Sequence, residues 1–151
     1  METKNVKTLI IETLQQRSNA ITQAILGDKG LKEYGLLLKA NTIFSFMDKH
    51  GETDFEIKRP ENPELGFGLR EVYDILQCNC VDVINLKHNL IMIVDDEGAI
   101  NNSKRNYYAS AAYFKDKTGG DKFIYETADN NIVVKTQIFG NVLITHTSNF
   151  K

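Results

Sequence analysis

From Lys4 to Leu26 the apolar residues Val6, Leu9, Ile10, Leu14, Ile21, Ala24 and Ile25 return at helical spacing, and Gly27 follows as a C-terminal stop. The pattern predicts an amphipathic helix over residues 4–26 that packs on a domain core or on a partner subunit. Residues 30–50 are ambiguous. Leu36, Leu37, Leu38, Ala40, Ile43, Phe44, Phe46 and Met47 fit a buried helix or two short strands equally well. Asp48-Lys49-His50-Gly51 reads as a turn either way, and Thr53 to Lys58 alternates Phe55 and Ile57 with charged residues as a half-buried strand does. Pro60 and Pro63 then break the chain.

The most legible stretch runs from Tyr73 to Ala111. A short helix over 69–77, with Leu69, Val72, Tyr73 and Leu76 on one side, delivers the chain to Cys78. Cys80 to Ile84 and Leu90 to Val94 are rich in Val and Ile and read as an antiparallel pair at the centre of a sheet, joined through residues 85–89. Asp95-Asp96-Glu97-Gly98 closes the second strand as an acidic turn. Asn101, Asn102 and Ser103 are good helix caps, and Tyr107, Tyr108, Ala111, Ala112 and Phe114 supply an apolar stripe for a helix over 102–115, ended by Thr118-Gly119-Gly120. Phe123 to Glu126, Asn131 to Thr136 and Val142 to His146 complete the chain as strands. Turns fall at 128–131 and at Gly140-Asn141, and the last strand is internal to the sheet.

These elements predict an α+β fold: an antiparallel or mixed sheet of four to six strands with three or four packed helices. Residues 1–51 would form a helical extension packed on the core or a partner, and residues 52–151 the core domain. The length of 151 residues suffices for a real core without a staple. A composition of 42% hydrophobic and 25% charged residues is that of a globular protein rather than a disordered or fibrous one. The formal charge of −2 supplies no general attraction for nucleic acid or a membrane surface. METKNVK opens without the apolar core of a signal peptide, the longest apolar runs are too short to span a bilayer, and only two cysteines occur, so a reducing, cytoplasmic setting is expected.

The candidate chemistry is sparse. Asp95, Asp96 and Glu97 are adjacent, but a helix-flanked calcium loop needs ligands spread over about twelve residues, and neighbours on an extended chain point to opposite faces. The structural reading is favoured over a weak cation site or a ligand contact. Cys78 and Cys80 lack the spacing and matched second pair of a zinc site or a redox motif, and read as free thiols. No G-x-S-x-G elbow marks a serine, and neither Gly66-Phe67-Gly68 nor Thr118-Gly119-Gly120 has the form of a phosphate loop. Lys104, Arg105 and Asn106, with Tyr107 and Tyr108 beside them, interleave cations and aromatics at a helix start, where a phosphate or a base could sit. The alternative is a solvated turn with tyrosines packed on the sheet. No cofactor, no metal and no catalytic group is assigned.

Pro60 and Asn62, Leu69 and Glu71, Val81 to Ile84, Asp96-Glu97-Gly98, Asn106 with Ala109, and Gly140-Asn141-Val142-Leu143 together resemble a family of small domains carried by bacteriophages and conjugative elements. The resemblance spans Glu56 to Ile144. Cys78-Asn79-Cys80 stands where that family often has a glycine pair, and the first fifty residues have no counterpart in it. It implies a bacterial cytoplasm and carries no activity. The expectation is therefore a non-enzymatic protein, dimeric through its N-terminal helix, that binds a host protein or a small signalling ligand. The alternatives are a metal-dependent hydrolase or nuclease using Asp95, Glu97 and His88, and a nucleic-acid-binding accessory protein using Lys104, Arg105 and the tyrosines.

Overall fold

A computed structural model describes residues 6–40, 55–98, 104–129, 131–135 and 137–150. Five strands form one sheet in the order β2-β1-β7-β4-β3: β1 Gly35–Leu38, β2 Phe55–Lys58, β3 Val81–Asn85, β4 Leu90–Asp95 and β7 Val142–His146. Every pairing in it is antiparallel. Strands β5 Ile124–Glu126 and β6 Ile132–Val134 make a separate two-stranded ribbon. The helices are α1 Val6–Leu26, α2 Leu69–Leu76 and α3 Tyr107–Thr118, so the α+β class holds.

The continuous apolar run of β4 has a direct physical reason: both faces of the sheet are covered. Leu90 and Met92 point with Leu38, Val142 and Ile144 into a core shared with α1, α3 and the β5–β6 ribbon, where Phe123 is fully buried. Ile91 and Ile93 point the other way, with Leu37 and Leu143, against Phe67 and the Val72 and Leu76 side chains of α2. Successive residues of a strand face opposite sides, so an interior strand between two such layers must be apolar throughout. The last strand is internal, as its composition predicts, lying between β1 and β4. β3 is an edge strand rather than part of the centre, because its Asp82, Val83 and Asn85 are exposed and a charge on an edge is well solvated.

The ambiguous segment resolves in part. Lys29–Lys32 is a single 3-10 turn, Gly35–Leu38 is a strand, and the rest of it, with the expected turn at 48–51, lies outside the described residues. Since β1 is hydrogen-bonded to both β2 and β7, a boundary near residue 51 would cut through adjoining strands of one sheet. α1 packs on α3 and β5 of its own chain. Its buried stripe is Ile11, Leu14, Ser18, Thr22 and Ile25, whereas Leu9 and Ala24 are exposed. Ser18 and Thr22 are buried in that stripe, on a helix that packs against α3.

The expected helix over 102–115 begins later. Asn106 is its cap, with side-chain Oδ1 accepting from the Ala109 N–H at 3.0 Å, while Asn101, Asn102 and Ser103 lie outside the described residues. It also ends later, at Thr118, with Gly119 left-handed at φ 75°.

Candidate functional site

The sequence-predicted site residues separate in space. Asp95 ends β4; its Oδ1 accepts from the Glu97 N–H at 2.9 Å and its carbonyl from Gly98, so this carboxylate holds the turn together. Asp96 and Glu97 stand exposed at the turn's tip. Among the described residues no three of the His, Cys, Asp and Glu side chains converge as metal ligands. His88 lies in the turn before the far end of β4, and the length of that six-residue strand puts it roughly 20 Å from Asp95. Asp95, Glu97 and His88 therefore do not form one constellation.

Lys104 is exposed and Arg105 half-buried. Arg105 bridges to Phe139, its guanidinium carbon 6.0 Å from that ring's centre. Asn106 is fully buried: Nδ2 donates to the Leu38 and Gly140 carbonyls at 2.8 and 2.9 Å, and its own carbonyl accepts from Ser110. Its role is to join α3 to the sheet. Tyr107 and Tyr108 are buried as well, so their rings are not presented for stacking on a base. Burial raises the Tyr107 phenol above its ordinary range, with Arg105 opposing. Asp95 and Lys104 do line one small hollow with Gln77 and Asn141, but its volume of about 220 Å³ is below that of a usual ligand pocket. Cys78, whose thiol is pushed up chiefly by burial, and Cys80 are free and half-buried.

A larger cleft lies at the opposite end of the sheet, between the Lys29–Lys32 turn, the β3–β4 hairpin and the end of β7. It encloses about 540 Å³. Leu31 and Leu90 give it an apolar floor, and Lys29, Lys32, His88 and His146 line its walls. The hairpin is tight: Leu90 N–H returns to the Lys87 carbonyl at 3.3 Å, and His88 and Asn89 are both left-handed, at φ 63° and 60°. That is the backbone of a type I′ turn, which follows the twist of its strands but is a costly conformation for a residue with a side chain. It places His88 at the lip of the cleft. His146 Nδ1 accepts from the Ser148 N–H at 3.2 Å and lies 2.8 Å from the Ser148 hydroxyl.

Asp28 is the acid of the cleft, and its charge is already engaged. Oδ1 accepts from the Gly30 N–H at 2.8 Å and Oδ2 from the Tyr34 hydroxyl. That bond to Asp28 raises the Tyr34 phenol, whose ring lies 5.4 Å from the Arg59 guanidinium carbon. Among the described residues no carboxylate lies within ion-pair distance of Lys29 or Lys32. The lining is thus an excess of donors over an apolar floor. Sequence reasoning passed over it, because its groups come from three distant segments.

No family model, no curated protein and no solved structure matches the chain. Among the described residues no helix is long and apolar enough to cross a membrane.

Proposed function

We propose that the protein is a non-enzymatic binding module whose cleft between the Lys29–Lys32 turn, the β3–β4 hairpin and the end of β7 takes a small organic anion. The observation that carries this reading is the pairing of a leucine floor with Lys29, Lys32, His88 and His146 around a cavity of ligand size, its acid already bonded. Such a lining suits a ligand with a flat apolar body and a phosphate, of which a nucleoside monophosphate is the simplest signalling example. The resemblance to domains of phages and conjugative elements supports a bacterial cytoplasm as the setting and sequestration of a host small molecule as the outcome.

Titration calorimetry with AMP, adenosine and inorganic phosphate tests it. AMP binds, adenosine binds at least about tenfold more weakly, and a Lys29→Ala/Lys32→Ala pair with an unchanged melting curve, or His146→Ala, weakens AMP by a similar factor. Equal affinity for AMP and adenosine, or AMP binding untouched by those substitutions, would remove the cleft as the site.

A further inference from the structure

Among the described residues β2 is an edge strand, and its sequence is complementary to itself. In its pairing with β1, Phe55 stands opposite Leu38 and Ile57 opposite Leu36, so both share the face that β1 turns toward α1 and α3. The helical layer does not reach them: Phe55 is 39% and Ile57 56% exposed. On the other face Glu56 is bonded to Lys39 and lies 3.0 Å from Lys58. Pro60 follows closely; it has no N–H to donate and ends any further ladder at residue 59.

We propose that two copies of this chain pair through β2, antiparallel and centred on Ile57, to give one continuous sheet. A two-fold axis perpendicular to the sheet keeps each face common to both copies, so only registers that centre on a residue are permitted. Centring on Glu56 sets Glu56 against Glu56, and centring on Lys58 sets Lys58 against Lys58. Centring on Ile57 sets Ile57 against Ile57, Glu56 of each copy against Lys58 of the other, and Phe55 beside the partner's Ile57 on the diagonal. The register that removes like-charge pairs thus also joins the exposed apolar residues into one strip. The other edge does not offer this. In β3, centring on Val83 leaves Asp82 opposite Ile84, and centring on Asp82 sets two acids together.

Cysteine cross-linking and sedimentation test the register. In a Cys78→Ser/Cys80→Ser background, Ile57→Cys forms an intermolecular disulfide on mild oxidation and Val83→Cys does not, since only position 57 meets its own copy. Both sites are exposed, so folding is unaffected. Glu56→Lys weakens the dimer about tenfold or more, by turning two attractive cross-strand pairs repulsive, and adding Lys58→Glu restores it. A chain that sediments as a monomer at all accessible concentrations overturns the proposal. So does a disulfide at 83 with none at 57, or a dimer indifferent to Glu56→Lys.

Discussion

Replacing Asn106 by alanine removes a small side chain that three parts of the fold share. Its Nδ2 satisfies the carbonyls of Leu38 and Gly140, and its Oδ1 satisfies the Ala109 N–H in the first turn of α3, all with the residue fully buried. Loss of a helix cap costs about 1 kcal/mol. Each buried carbonyl left without its donor costs about 1–3 kcal/mol, the lower end applying where water can enter. The sum is about 3–7 kcal/mol, a large part of the roughly 5–15 kcal/mol that stabilises a domain, and it corresponds to a fall in Tm of roughly 10–20 °C at its midpoint. Urea unfolding followed by circular dichroism measures it. Asn106→Ser keeps a capping oxygen but no amide, so it recovers about 1 kcal/mol of the loss and no more. A cost below about 1 kcal/mol for Asn106→Ala, with Ser no better than Ala, would refute this account of how α3 is joined to the sheet.

Two further predictions concern tyrosines. Burial raises the Tyr107 phenol, so the unfolded chain loses that proton first; the stability contributed is fully present below the unfolded value of about 10 and is lost as pH rises through the folded value. Tyr107→Phe should flatten the alkaline limb of a Tm-against-pH curve. Tyr34→Phe removes the hydroxyl that donates to Asp28 Oδ2 and leaves that oxygen free to oppose an anion at the cleft, so AMP affinity should fall about threefold to tenfold by calorimetry while sedimentation is unchanged; unchanged affinity would show that Asp28 does not oppose the ligand.

Where burial is two-sided or strictly alternating, the chain states its own structure. Val142–His146 occupies the bounds that its apolar run implies, and the acidic turn after β4 is held by its own Asp95, a local hydrogen bond that local sequence reports. The start of α3 was misplaced because four good capping residues stand close together, at 101, 102, 103 and 106, and what selects Asn106 is the pair of carbonyls that its amide reaches from β1 and from Gly140. The stripe of α1 differs from its apolar pattern for a similar reason: the packing of α1 on α3 and β5 buries the polar Ser18 and Thr22, which no apolar periodicity marks. Three consecutive leucines in β1 carry no period, so neither helix nor strand could be chosen there. The cleft was illegible because Lys29, His88 and His146 meet only once the order β1-β7-β4-β3 is known.

Buried polar groups occupy both ends of the sheet, with different consequences. At the Asp95 end Asn106 donates and accepts entirely within the protein, and the tyrosines behind it are covered, so that end is closed. At the other end Thr145 Oγ1 contacts the Leu31 and Tyr34 carbonyls at 3.1 and 3.0 Å, and Asn149 Nδ2 donates to the Leu31 and Lys32 carbonyls, both at 3.0 Å. These bonds fasten the lysine-bearing turn to the strand that carries His146. Leu90 is held opposite His146 by the β4–β7 register, so the floor and one wall of the cleft are fixed by the same ladder. Groups supported by a sheet and by buried hydrogen bonds need little reordering when a ligand arrives, and binding then loses less to entropy. The cleft is therefore preorganised yet retains uncommitted donors, whereas at the other end Asp95 Oδ1 already accepts, and the Asn106 amide already donates, within the fold. That asymmetry is the physical reason for placing the ligand at the histidine end.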